Sequence, residues 1–334
     1  MNSNTTERPV FPARYTPEGI YETRMIKRNA ACIFAGILTW LLLRSILPNM
    51  MFSGITIVIT MARISIVPST AAVIYSSVDI ISTILSMGLP FFVVMRIIDI
   101  PLKAALPFRK IRSGFNMGSL FIALALSTLG VYSGSLLASM ASSLGFSPQV
   151  PAVETPTDIT TGILYAITLV VIPAFLEEIV FRGIILQPLR RFGDGFAIVV
   201  SAVLFSLAHL NLYQIPNAFL IGLLMGYFVV RSGSIWPGII IHFVNNSVAA
   251  VFEYLMDYIP MQTLNIMNLS VYVFYLVAGL LSLIILSRKQ KKLFMLIPYN
   301  GILSTKERLR CYFTCAPTVI LILVLLVLSL SYML

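Results

Sequence analysis

The chain has 334 residues, of which 58% are hydrophobic and 11% are charged, and its formal net charge is +10. Soluble globular chains carry about 25% charged residues, so this composition excludes an ordinary soluble domain. Apolar runs near the length of a membrane span recur along the whole sequence, and no alternating strand pattern is present. Because a backbone in lipid must satisfy its own hydrogen bonds, the sequence predicts an all-α polytopic membrane protein.

The positive charge is interpreted as a signal of membrane topology, and no nucleic-acid partner is expected. Basic residues cluster in short loops between the apolar runs, as they do on the cytoplasmic side of membrane proteins. Arg24, Lys27 and Arg28 precede the first run, which predicts a cytoplasmic N-terminus. Residues 145–160 contain no lysine or arginine and are therefore predicted to lie outside.

Cysteine usage and the N-terminal segment show no sign of a secreted protein. The spacing of Cys32, Cys311 and Cys315 predicts neither a disulfide framework nor a metal site, so they are interpreted as incidental thiols. The first 29 residues contain no apolar segment typical of a cleavable signal peptide.

In chain order, a polar and partly disordered cytoplasmic tail is predicted for residues 1–29, and apolar spans follow it. Residues 50–69 are ambiguous, because Arg63 and Pro68 interrupt them; they form either a segment along the outer surface or part of a longer hairpin. The predicted spans are residues 30–47, 71–98, 117–144, 161–192, 196–210, 215–230, 234–254, 269–286 and 316–334. We expect a bundle of about 8–9 transmembrane helices around an intramembrane polar cavity, the number depending on whether the last apolar run crosses.

Two further patterns predict helix packing. Arg44 and Asp79 fall in the first two spans, and a charge pair between antiparallel helices is the favoured interpretation. Ala218, Gly222 and Gly226 are four apart, so they line one helix face and indicate close packing of that helix.

The most informative stretch is residues 175–182, Phe-Leu-Glu-Glu-Ile-Val-Phe-Arg, inside the fourth span. Each charge at a helix centre costs roughly 2.5–3.5 kcal/mol on insertion scales, so intramembrane charges indicate a functional site by default. Glu178 and Arg182 are four apart and can pair on one helix face. Glu177 lies about 100° around the helix, so it has no such partner and is better placed as a general base. An ion-pair network joining two helices is the structural alternative.

The two histidines strengthen the functional interpretation. His209 and His242 both fall in apolar spans, and at 1.5 Å per residue they and Glu177 all lie near the middle third of a bilayer about 30 Å thick. Phe205 shares a helix face with His209, and Asn246 shares one with His242. A carboxylate, two imidazoles and an amide around water form a plausible hydrolytic site.

These residues resemble the three motifs of the CPBP family, which comprises CAAX prenyl proteases and bacteriocin-processing or immunity membrane proteins (Abi). The motifs are Glu177-Glu178-x-x-x-Arg182, Phe205-x-x-x-His209 and His242-x-x-x-Asn246, in the family's order and without departure from its pattern. The resemblance covers about a quarter of the chain. It implies a CPBP-like catalytic core at residues 161–255, preceded by N-terminal helices at 30–160. C-terminal helices at 256–334 follow, with a basic cytoplasmic segment at 288–310.

The resemblance also implies a role for each motif residue. Glu177 would activate the attacking water with help from His209, and His242 and Asn246 would stabilise the oxyanion. The remaining motif residues would support the site, namely Glu178, Arg182 and Phe205. The substrate would be a membrane-associated peptide or lipid-anchored protein within the lipid bilayer.

Use of a metal and two other functions stay open at this level. The metal-free reaction is favoured, although Glu177, His209 and His242 would suffice to bind zinc with an open fourth position. The soluble zinc-protease motif His-Glu-x-x-His is absent. The alternatives to proteolysis are a non-enzymatic membrane scaffold or immunity protein, and a transporter that uses Glu177 and the histidines as a proton relay.

Overall fold

The computed structural model describes residues 13–111, 113–146, 156, 158–290, 293–296, 299 and 301–331. Predictions about residues 1–12, most of the loop at 145–160, Lys291, Lys292 and the last three residues lie outside the described residues. The described part of the chain consists of helices and turns without a strand, so the prediction of an all-α protein is confirmed.

Ten helices organise the fold, besides single turns at Ala13–Tyr15 and Leu102–Ala105. They are α1 (Pro17–Met61), α2 (Pro68–Ile98), α3 (Ser113–Ser143), α4 (Ile159–Phe192), α5 (Asp194–Leu207), α6 (Ile215–Ser232), α7 (Trp236–Leu255), α8 (Met261–Lys289), α9 (Thr305–Phe313) and α10 (Ala316–Ser331).

The number of membrane spans agrees with the predicted bundle. Among the described residues, seven helices are long and apolar enough to cross a membrane, and α9 with α10, bent by 65°, would be an eighth if counted as one span. The predicted fifth span corresponds to α5, which has only 14 residues. At 1.5 Å per residue α5 covers about 21 Å, less than the hydrocarbon thickness of about 30 Å. The turn after α5, which carries His209, is therefore expected to lie at membrane depth.

Helix α1 begins well before the end of the predicted tail, at Pro17. The Thr16 side chain accepts a hydrogen bond from the Gly19 amide at 3.1 Å, and proline at the first helical position has no amide to leave unpaired. Residues 17–29 are thus helical and continuous with the first span, while their cytoplasmic location stays a prediction. This part of the helix is largely polar in sequence, with Ile26 buried.

The ambiguous segment at 50–69 belongs to a long hairpin of α1 and α2. Helix α1 continues to Met61, and α2 starts at Pro68 after a short turn. The predicted pair of Arg44 and Asp79 is wrong: both side chains are exposed, and the structure gives no ion pair between them. The positions of these charges along the two spans do not specify the helix faces on which they lie.

Helix α3 brings the outer helices onto the core, because it packs extensively against α8 and α6 and also contacts α7. Gly130 and Gly134 of α3 allow this approach, since a Cβ atom at either would collide with Asn217 or with the carbonyl of Tyr213. The close packing predicted for α6 is also present: a Cβ at Gly222 would lie 3.2 Å from the ring of Phe205.

Candidate active site

Helix α4 is an α-helix interrupted by two π-helical stretches. These are Ile167–Val171 and Ile179–Ile185, and Ile172–Glu178 between them is α-helical. π-helical turns occur often at functional sites, because the wider turn changes the direction of side chains and frees backbone groups. Glu177 and Glu178 lie at the end of the α-helical part, directly before the second π-helical stretch.

Glu178 and Arg182 form the ion pair that their spacing predicts. Arg182 Nη1 donates to Glu178 Oε1 at 2.5 Å, and both side chains are fully buried. The guanidinium carbon also lies 4.0 Å from the centroid of the Phe205 ring, a cation–π contact. Arg182 Nε and Nη2 have no hydrogen-bond partner, so Phe205 provides a large part of the environment of this buried cation.

His242 of α7 hydrogen-bonds one carboxylate of α4 and lies close to the other. Its Nδ1 lies 3.1 Å from Glu178 Oε1, and its Nε2 lies 4.0 Å from Glu177 Oε2. A carboxylate oxygen only accepts, so Nδ1 is the donor and the tautomer of the ring is fixed. Glu178 therefore orients His242 in addition to pairing with Arg182, a contact that the sequence analysis did not predict.

The gap between Glu177 and His242 suits a small bridging group. A separation of 4.0 Å is too long for a direct hydrogen bond, yet both atoms can accept hydrogen bonds from one water molecule placed beside them. The Glu177 side chain is 25% exposed, whereas that of Glu178 is 0% exposed. Of the two adjacent carboxylates, Glu177 is thus the one that solvent reaches.

Phe205 and His209 approach the same cluster from α5. The Phe205 ring centroid lies 4.8 Å from that of His209 and 5.6 Å from that of His242, both edge-on. His209 stands in the turn after α5, and its Nδ1 donates to the Phe205 carbonyl at 2.9 Å. Its Nε2 is left free, and the ring lies within electrostatic range of Glu177 and His242.

Asn246 lies one helical turn beyond His242 and is held by its neighbours. Its Nδ2 donates to the Leu169 carbonyl at 3.3 Å, and its Oδ1 accepts from Asn245 Nδ2 at 3.4 Å. Asn245 Oδ1 in turn accepts from Ser127 Oγ of α3 at 3.3 Å. The structure thus brings Glu177, Glu178, Arg182, Phe205, His209 and His242 together, and Asn246 flanks this group.

The suggested zinc ligands do not form a ready metal site in this arrangement. Among the described residues, no three histidine, cysteine, aspartate or glutamate side chains are grouped as metal ligands would be. The Nδ1 atoms of His242 and His209 are engaged by Glu178 and by a backbone carbonyl, so each ring would have only its Nε2 to offer a metal ion.

Three supporting residues were not identified from the sequence. Gly238 lets α7 approach, because a Cβ atom there would collide with Glu178 Oε2. In the sequence, this glycine is marked only by its place in the first turn of a helix, four residues before the motif histidine His242. Asn245 lies three residues after His242, on a nearby part of the same helix face, and nothing in the sequence around Ser127 indicates its contact with Asn245.

A cleft of about 680 Å³ lies beside this cluster, between the first half of α4 and α7. Its walls are mainly apolar and include Val170, Val171 and Phe243, with Ser247 next to Asn246. Glu177, His209 and His242 do not line it. The cleft therefore borders the polar cluster and does not contain it.

The fold and the cluster together define a multi-pass helical membrane protein with a carboxylate, histidine and asparagine site between its packed helices. A family model described as type II CAAX prenyl endopeptidase Rce1-like matches residues 159–248. This segment is thus an Rce1-like domain, and the predicted CPBP resemblance is confirmed for it. The match supports a CAAX-type intramembrane protease in general terms. Comparisons with curated proteins and with solved structures give no match.

Proposed function

We propose that the protein is an intramembrane endopeptidase in which Glu177 activates a water molecule. The observation that carries this proposal is His242 between two carboxylates, with Nδ1 on Glu178 and Nε2 4.0 Å from Glu177. A solvent-accessible carboxylate next to an oriented imidazole is the pair that general-base hydrolysis needs.

The proposed reaction gives each of these groups one role. Glu177 takes a proton from water, and the resulting hydroxide attacks the peptide carbonyl carbon. The oxyanion that forms accepts hydrogen bonds from Asn246 and, when its Nε2 is protonated, from His242. The proton on Glu177 then passes to the leaving amine as the C–N bond breaks. His209, with its free Nε2, helps to hold the water.

We further propose that the substrate is a membrane-associated or lipid-anchored peptide. The apolar cleft along α4 and α7 supports this, because Ser247, the residue after Asn246, lines it and it has room for an apolar segment. The core at residues 161–255 would do the chemistry, and the basic loops would face the cytoplasm with the N-terminus.

The test compares cells that express the intact protein with cells that express Glu177→Gln at equal abundance. General bases contribute about 10²- to 10⁴-fold to rates, so peptides released by the intact protein should disappear from the membrane peptidome of the variant. Glu18→Gln is the matched control, because Glu18 is exposed in the first turn of α1 and lies outside residues 159–248.

Two results would count against proteolysis. Peptides that persist with Glu177→Gln would overturn the role of Glu177. Identical peptidomes, together with rescue of a deletion phenotype by Glu177→Gln, would instead indicate a non-enzymatic scaffold.

A further inference from the structure

A chain of hydrogen bonds leads from α3 to the side-chain amide of the motif residue Asn246. Ser127 Oγ donates to Asn245 Oδ1 at 3.3 Å, and Asn245 Nδ2 donates to Asn246 Oδ1 at 3.4 Å. Ser127 is 5% exposed and lies outside residues 159–248, the Rce1-like segment. The chain thus connects the candidate oxyanion donor to a helix that the motifs do not cover.

The acceptor of Asn246 on α4 is a backbone carbonyl in the first π-helical stretch, Ile167–Val171. Asn246 Nδ2 donates to the Leu169 carbonyl at 3.3 Å. Because a carbonyl only accepts, this contact requires that the nitrogen of the amide faces Leu169.

Together the two neighbours define how the Asn246 amide is turned. Its oxygen is used by Asn245 and one of its N–H groups by Leu169, so one N–H remains for another acceptor. The opposite orientation would place two oxygens together at Leu169 and two amide nitrogens together at Asn245.

We propose that Asn245 and Ser127 are positioning residues, which fix the amide of Asn246 so that its remaining N–H serves the oxyanion. This inference rests on the proposed protease function and adds two residues to it. Each works through Asn246 and touches no substrate.

Asn245→Asp is the sharpest variant, because it keeps the acceptor for Ser127 but cannot donate to Asn246. Removal of one oxyanion donor costs about 10²- to 10³-fold in kcat. We expect a loss of about tenfold or more in kcat for Asn245→Asp and a smaller one for Ser127→Ala, with KM unchanged. Ser127→Thr should restore kcat because it keeps the hydroxyl. Ser119→Ala is the matched control: Ser119 is also buried on α3, but its hydroxyl donates to the Asn116 carbonyl.

A double-mutant cycle separates positioning from a general loss of stability. The assay uses the purified full-length protein and a peptide whose cleavage depends on Glu177. If Asn245 acts through Asn246, Asn245→Ala should lower kcat in the intact protein and have no further effect when Asn246→Ala is present. Equal losses in both backgrounds, or a change in KM alone, would overturn the inference and leave the proposed function standing. Absence of any Glu177-dependent cleavage would overturn both.

Discussion

Glu178→Gln is predicted to destabilise the fold strongly, because it leaves the charge of Arg182 buried without its counter-ion. Both side chains are fully buried and joined at 2.5 Å. Removal of one partner of a buried pair costs about 3–5 kcal/mol. The Phe205 ring remains 4.0 Å from the guanidinium carbon and offsets part of this loss, so the lower end, about 3 kcal/mol, is expected. That corresponds to a change of more than about 100-fold in the folding equilibrium.

The matched control is Asp194→Asn, which breaks another pair spaced four residues apart. Arg190 and Asp194 are 2.7 Å apart, with side chains 32% and 12% exposed. Arg190 also keeps a hydrogen bond to Gln187 at 3.1 Å. Exposed pairs contribute about 0–1 kcal/mol, so this variant should lose at most about 1 kcal/mol.

The assay is the free energy of unfolding of the purified protein, from SDS titration in mixed micelles followed by circular dichroism. Glu178→Gln combined with Arg182→Met removes both charges and should recover at least part of the stability, since no uncompensated charge stays buried. The double variant should still fail to cleave, because His242 has lost its carboxylate. A loss for Glu178→Gln no larger than that for Asp194→Asn would refute the reasoning, as would a double variant without recovery.

Three further predictions concern the contact at Gly238, the thiol of Cys311 and the ion pair of Glu22. Gly238→Ala places a methyl group against Glu178, and a loss of about 1–3 kcal/mol in unfolding free energy with lost cleavage is expected. Gly88→Ala, where no atom lies within 4 Å of the added methyl, should be neutral or stabilising, and equal behaviour of the two would contradict this account. Burial raises the pKa of the Cys311 thiol, so with the other cysteines replaced by serine its alkylation by maleimide should be slow at pH 7 and quicken as pH rises. Glu22→Gln breaks the buried ion pair between α1 and α9 and should accelerate alkylation at pH 7, and an unchanged rate would show that the pair does not hold α9 in place.

What sequence could predict depended on the distance along the chain between the interacting groups. The Glu178–Arg182 pair and the approximate bounds of α2 and α3 follow from helical spacing and apolar length, which are local properties. The Arg44–Asp79 prediction failed because pairing between helices depends on their rotation, and the two side chains emerge on faces that do not meet.

The rest of the site depends on contacts between distant segments. Glu178 and His242 are 64 residues apart, and Ser127 and Asn245 are 118 apart. Such pairs require the packing of whole helices, which periodicity within one helix does not specify. The π-helical turns of α4 were likewise not predicted from the sequence; Pro173, which has no amide hydrogen, lies between them.

The division of the site among helices has a consequence for biosynthesis. Glu178 and Arg182 neutralise each other within α4, so this helix can enter the membrane with two of its three central charges already paired. His209 and His242 follow on later helices, and Asn246 lies on α7. The nascent chain therefore carries an incomplete candidate site until α7 is in place. If the proposed function holds, a protein made in this order completes its hydrolytic site only near the end of its own insertion.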